Sequence, residues 1–138
     1  MNIGEAARRS GVSTKMVRYY DDIGLVRSTS RTGSNYREYD ERTVNELTFV
    51  KRARSLGFSI EEIEQLLSLW RDKRRSSRQV KGIAHKHIAE LDARAAELKA
   101  MADTLRHLAH NCAGDERPDC PILDDLTSNE PLKKKPAR

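Results

Sequence analysis

Aromatic residues are scarce in this 138-residue chain, at two Phe, four Tyr and one Trp, or 5% of the total. Sandwich and barrel cores rest on aromatic and β-branched side chains. The scarcity, together with 34% charged and 37% hydrophobic residues, therefore points to a helix-rich chain with a small core. No window holds the roughly 18 consecutive apolar residues that a membrane span needs. The opening Met1-Asn2-Ile3-Gly4-Glu5 is acidic within five residues and has no apolar h-region, which argues against a secretory signal and for the cytoplasm. Only two cysteines occur, and in a reducing compartment they read as metal ligands or redox thiols before a structural disulfide. There is no nucleophile–base pairing and no phosphate-binding loop, so an enzyme is the weakest reading. The length suits one domain plus at most one extension.

Charge is distributed unevenly. Residues 1–57 carry 11 Lys/Arg against 7 Asp/Glu, net +4, residues 58–111 carry +2, and residues 112–138 carry −1. The first segment is thus the place to look for a polyanion such as DNA. It opens as two short helices around a tight turn. Ile3, Ala6 and Ala7 have helical spacing, Ser10-Gly11 stops the run, and Ser13 caps a second helix from Thr14 to about Ile23. Met16 and Val17 turn inward there, leaving Lys15, Arg18 and Tyr19 outside. This is a helix-turn-helix pattern, whose second helix enters the major groove; the competing reading is an ordinary α-hairpin with a charged solvent face. The stretch Arg27-Ser28-Thr29-Ser30-Arg31-Thr32-Gly33-Ser34-Asn35-Tyr36-Arg37-Glu38-Tyr39 is rich in turn formers and then alternates aromatic with charged residues. It reads as a two-stranded wing, whose interleaved arginines and tyrosines suit phosphate and minor-groove contact.

A second helix pair follows. Val44, Leu47, Val50 and Leu56 form one apolar face ended by Gly57, and Ser59-Ile60-Glu61-Glu62 is a capping box opening the next helix. Ile63, Leu66, Leu67 and Trp70 make that helix's apolar side, with Trp70 as a core anchor. Arg54, near the end of the first of these helices, is placed either to reach a phosphate or to sit solvated. From about Ser77 to His110 there is no proline and no glycine except Gly82, and apolar residues recur at heptad spacing from Val80 through Ile88, Leu91, Leu98 and Leu105 to Leu108. Such a helix of some 33 residues is about 50 Å long. Nothing else in the chain is large enough to cover its stripe, so it should pair with a second copy of itself.

Cys112 and Cys120 are separated by seven residues containing Gly and Pro, which lets the loop double back and bring the sulfurs together. The spacing is too wide for a redox C-x-x-C and lacks the four ligands of a structural zinc site unless histidines join. Two soft thiolates suit Cu(I) or a similar soft monovalent ion. Pro121 favours a helix start directly after Cys120, and a helix N-terminus would stabilise the −1 charge of two thiolates plus a +1 ion. The competing readings are unliganded loop thiols, an occasional disulfide, or a His/Cys zinc site using His107 and His110.

Met1-Asn2-Ile3-Gly4-Glu5-Ala6-Ala7, Val17-Arg18-Tyr19-Tyr20, Gly24-Leu25, Tyr36-Arg37-Glu38-Tyr39 and Arg52-Ala53-Arg54-Ser55-Leu56-Gly57-Phe58 together resemble the MerR family of transcriptional regulators over roughly residues 1–126. The ending Cys112-(seven residues)-Cys120-Pro121-Ile122-Leu123 is similar to its copper-efflux regulator (CueR-like) branch, which includes silver- and gold-responsive members. The resemblance implies a homodimer joined by an antiparallel coiled coil of the long helices. It implies a promoter operator that the metal-free dimer occupies, and metal-driven bending and underwinding that lets RNA polymerase engage. Cys112 and Cys120 would be the two ligands of one Cu(I), Ag(I) or Au(I) per cysteine pair. Divalent-sensing relatives carry a further cysteine where this chain has Ser77, beside the site. Lys15, Arg18, Tyr19, Arg31, Tyr36, Arg37 and Arg54 match DNA-contacting positions of the family. Gly33-Ser34-Asn35-Tyr36 departs from the commoner Asn-Gly-Tyr, a difference confined to the turn of the wing. Ala113 and Pro118 resemble the gold-responsive members, which leaves the preference among copper, silver and gold open.

The expected architecture is therefore mainly α. A winged helix-turn-helix DNA-binding domain with its second helix pair occupies 1–71, a hinge 72–76, a dimerisation helix 77–110, a metal-binding loop and short helix 111–126, and a disordered basic tail 127–138. A thiol-redox or zinc-responsive regulator of the same fold is the alternative. A multidrug-type regulator ranks below both, since no room remains for a ligand-binding domain.

Overall fold

The computed structural model describes residues 1–128; the expectation of a basic tail falls, beyond Ser128, outside the described residues. Helix α1 is Ile3–Ser10, α2 is Thr14–Asp22, strands β1 and β2 are Ser30–Arg31 and Arg37–Glu38, α3 is Glu41–Ser55, α4 is Ile60–Arg71, α5 is Ser77–His110 and α6 is Pro121–Leu126. Among the described residues two compact units result, 1–81 and 82–128. The division falls about one turn inside α5, while residues 72–76 form the connection between α4 and α5.

Local signals explain the boundaries of the first unit. Asn2 caps α1 through the Glu5 N–H, and Gly11 ends it at φ 76°, a left-handed conformation that glycine adopts without steric cost. A Cβ there would also meet the Lys51 side chain. Ser13 accepts from the Met16 N–H to start α2. Asp40 and Thr43 form a reciprocal capping box at α3, and Ser59 and Glu62 form another at α4. The strands pair antiparallel, Ser30 with Glu38 and Arg31 with Arg37. Their turn is closed by Thr32 N–H to Tyr36 O and Asn35 N–H to Thr32 O, with Asn35 at φ 65°. That is how the wing manages without the commoner Asn-Gly: asparagine is among the few non-glycine residues that tolerate the left-handed region.

The core of this unit joins α1 to α4. Val17 and Tyr20 of α2, Val26, Tyr39, Leu47 and Val50 of α3, and Ile63 and Leu67 of α4 are all buried. The Met1 main chain pairs with Tyr39 in both directions (Tyr39 N–H to Met1 O, 2.8 Å; Met1 N to Tyr39 O, 2.6 Å), which fastens the residue after β2 to the start of α1. Glu46, buried on α3, accepts a bidentate pair from Arg71 (3.0 and 2.9 Å), and Arg71 also donates to Leu25 O. A charge taken out of water needs this degree of satisfaction. Trp70 is not the expected core anchor. It is 42% exposed and stacks on Phe49 with ring centroids 4.9 Å apart, so its contact area is a surface sandwich and the interior is filled by Ile63 and Leu67. Leu56, expected on the α3 apolar face, lies beyond the last helical residue as its C-cap and is exposed.

In the second unit α5 runs to His110 without interruption, as the lack of proline predicts. Its stripe is bare: Ile88, Leu91, Leu98, Met101 and Leu105 are exposed, Leu98 by 65%. His87 is buried, with Nδ1 3.8 Å from the Glu90 carboxylate. Lys99 and Arg106 both pair with Asp103 along the helix surface. No described helix is long and apolar enough to cross a membrane.

Candidate metal centre and nucleic-acid interface

Helix α2 carries the residues that the sequence assigns to DNA. With Val17 and Tyr20 turned into the core, Lys15, Arg18 and Tyr19 are left on its exposed side. On the wing, Tyr36 is 73% exposed and Arg31 points Nη1 back toward Asn35, at 3.4 Å from its O and 3.5 Å from Oδ1. Arg54, at the end of α3, donates to the Tyr20 hydroxyl at 2.8 Å, and that bond raises its already high pKa. Tyr20 thus serves both the core and the placement of a cation, a role that sequence reasoning missed. The available signal was its position three residues after Val17 on the inward face.

Arg37 differs from the other assigned residues. Its side chain is only 17% exposed, and three of its donors are committed within the protein. Nη2 donates to Asp22 Oδ1 (2.7 Å), Nη1 to the Arg18 carbonyl (3.2 Å), and Nε lies 3.3 Å from Asp21 Oδ2. Desolvation pulls the guanidinium pKa down, but the Asp22 hydrogen bond and the charges of Asp22 and Asp21 outweigh it and leave it raised. The neighbouring Tyr39 phenol is pushed up, first by burial and then by Asp21.

The two cysteines come together as the spacing predicts. Cys112 Sγ and Cys120 Sγ are 3.8 Å apart, both thiols are free, and both are half-buried. Cys112 follows the last turn of α5, where its N–H bonds Ala109 O. Cys120 is the N-cap residue of α6, with Pro121 at the first helical position. Its side chain makes no cap hydrogen bond, yet the nearby Leu123 N–H lowers its thiol pKa. The Ile122 N–H and the Cys112 thiol lower it further, against a smaller opposition from desolvation and Asp124. The arrangement favours a thiolate at Cys120. Among the described residues, neither sulfur belongs to a cluster with a third His, Cys, Asp or Glu donor within ligating distance. His107 instead bonds Asn111 at 3.2 Å. Ser77 is the exposed first residue of α5.

The chain resembles known proteins along most of its length. Residues 1–70 match the model of the MerR HTH family regulatory proteins, and residues 44–108 match that described as MerR, DNA binding. "Heavy metal-dependent transcription regulator 2" of Rhizobium meliloti (strain 1021) is 54% identical over 128 residues, 93% of this chain and 87% of that protein. The HTH-type transcriptional regulator CueR of Salmonella typhimurium is 40% identical over 127 residues, 92% of each chain. Among solved structures, the transcription regulator PbrR691 from Ralstonia metallidurans CH34 in complex with lead(II) superimposes with a TM-score of 0.80 at 31% identity, covering 91% of this chain and 98% of that one. These relatives are transcription regulators. With its helix-turn-helix, its wing and its long C-terminal helix, the chain belongs to the MerR family of transcription regulators.

Proposed function

We propose that this protein is a cytoplasmic metal-responsive transcription regulator. As a homodimer it binds a promoter operator through Lys15, Arg18, Tyr19, Arg31, Tyr36 and Arg54, with Arg37 at the same face. On taking up one Cu(I), Ag(I) or Au(I) per Cys112–Cys120 pair it distorts the DNA and so activates metal efflux or resistance genes. RNA polymerase is engaged indirectly, through the shape of the promoter.

The observation that carries this reading is the pair of free sulfurs 3.8 Å apart, one of them at the start of α6. Cys112, just after α5, and Cys120, at the start of α6, would hold a soft monovalent ion as thiolate donors. Cys120 is prepared for this by the Leu123 and Ile122 N–H groups, which favour the thiolate and offset the net negative charge of two sulfurs around one positive ion. Serine at position 77 leaves the donor set at two sulfurs from this chain, which suits a monovalent ion better than a dication. The metal dependence in the names of the relatives agrees with the assignment. The bare apolar stripe of α5 supports the dimer, because a second copy would cover it.

The test is an anaerobic Cu(I) titration of the reduced protein under a competing chelator, followed by transcription in vitro. Tight binding of one ion per cysteine pair and metal-dependent transcription are expected. Transcription switched by peroxide and indifferent to Cu(I) would instead identify a thiol-redox regulator.

A further inference from the structure

Two acids occupy an unfavourable place. Asp21 and Asp22 lie in the last turn of α2, where the helix macrodipole disfavours negative charge, and they belong to a unit whose net charge is positive. Near a polyanion they add repulsion. Their bonds show what holds them there. Asp22 Oδ1 accepts from Arg37 Nη2 (2.7 Å), and Asp21 Oδ2 lies 3.3 Å from Arg37 Nε; the Asp21 and Arg37 side chains are largely out of solvent, and that of Asp22 is exposed. Asp21 Oδ1 accepts from the Ser28 N–H (3.2 Å). Ser28 leads into β1 and Arg37 begins β2, and the adjacent Thr29 N–H bonds Glu38 O (2.8 Å) to close the ladder. Asp21 thus ties both ends of the wing to the end of the helix, while Arg37 Nη1 adds a bond to the Arg18 carbonyl.

We propose that Asp21 and Asp22 are positioning residues for DNA binding: through Arg37 and the Ser28 N–H they fix the wing at the C-terminal end of α2, and so strengthen operator binding although each carboxylate repels phosphate. The proposal rests on the DNA interface described under the proposed function. It separates Arg37 from Lys15, Arg18 and Tyr36, since the Arg37 guanidinium is spent on the protein and the others are open to a duplex.

The sign of the effect makes the proposal testable. Full-length Asp21→Asn, Asp22→Asn, Asp22→Glu and Arg18→Ala proteins are titrated against an operator duplex obtained by selection from a random-sequence library. Affinity is referred to the active fraction measured by stoichiometric titration, so a folding defect does not mimic a weaker site. The expected result is operator binding weaker by roughly three- to tenfold for each Asn variant, the size of a partly exposed charge-assisted bond. Asp22→Glu should recover part of it. Hydroxyl-radical footprints should lose protection at the wing's phosphates while keeping that of α2, a selective change that general destabilisation would not produce. Tighter or unchanged binding in both Asn variants, with Arg18→Ala weakened, would overturn the positioning role alone. Unchanged binding in Arg18→Ala would overturn the interface and the proposal together.

Discussion

Residues 1–81 and residues 82–128 spend their apolar side chains in opposite ways. The first unit folds four helices and a wing around one core, in which Val17, Leu47, Ile63 and Leu67 are fully buried, and every one of its four helices opens on a side-chain cap. The second is most of one long helix, a loop and a six-residue helix, with leucines left in the open. One unit satisfies its own hydrophobic surface. The other presents an exposed apolar stripe, and an isolated helix of that kind derives its stability from what it packs on.

The largest break in this contrast comes from charging the stripe. Leu91→Lys with Leu98→Lys places two cations in a seam built on apolar burial, and sedimentation should show monomer in place of dimer. A folded dimer of unchanged mass would mean that the stripe is covered in another way. The opposite break is inside the first unit. Leu47→Ala removes a fully buried side chain at the centre of α3 and should cost about 2–5 kcal/mol in denaturant unfolding. Cu(I) affinity of the still-folded fraction should stay near that of the parent, since the sulfurs belong to the other unit.

A smaller and pH-dependent effect sharpens the picture of how the wing leads into α3. The Thr43 N–H, followed by the Thr43 hydroxyl, holds the Asp40 carboxyl below its ordinary value. A depressed carboxyl stabilises the fold fully above its unfolded pKa of about 3.9, and that contribution is lost as pH falls through the lower folded value. Asp40→Ala should therefore cost about 1 kcal/mol at neutral pH, as lost N-caps do. It should also show a flatter acid limb in stability measured from pH 5 downward.

Much of the first unit was legible because its signals are local. Ser13, Gly11 and the Ser59–Glu62 box mark helix ends through hydrogen bonds between residues three or four apart. The long helix was legible from what it lacks, and the cysteine approach from a loop that glycine and proline allow to double back. What escaped was set by tertiary contact. Trp70 has the spacing of a core residue, but the interior behind it is already filled, so it stacks on Phe49 at the surface. Arg37 reads like any basic wing residue until its distance to Asp21 and Asp22, sixteen and fifteen positions earlier, is known. The sequence places Tyr20 on the inward face of α2, three residues after Val17, but not within reach of Arg54, thirty-four positions later.

The central claim is that the second unit senses the metal and the first reads DNA. It is tested most directly by reporter transcription in cells carrying Cys120→Ser, with operator occupancy measured in the same cells. A hydroxyl is a poor donor for Cu(I), and the substitution lies far in sequence from Lys15, Arg18 and Tyr36. The account predicts that occupancy persists while induction by Cu(I) is lost. Full induction by Cu(I) in the Cys120→Ser strain would contradict it.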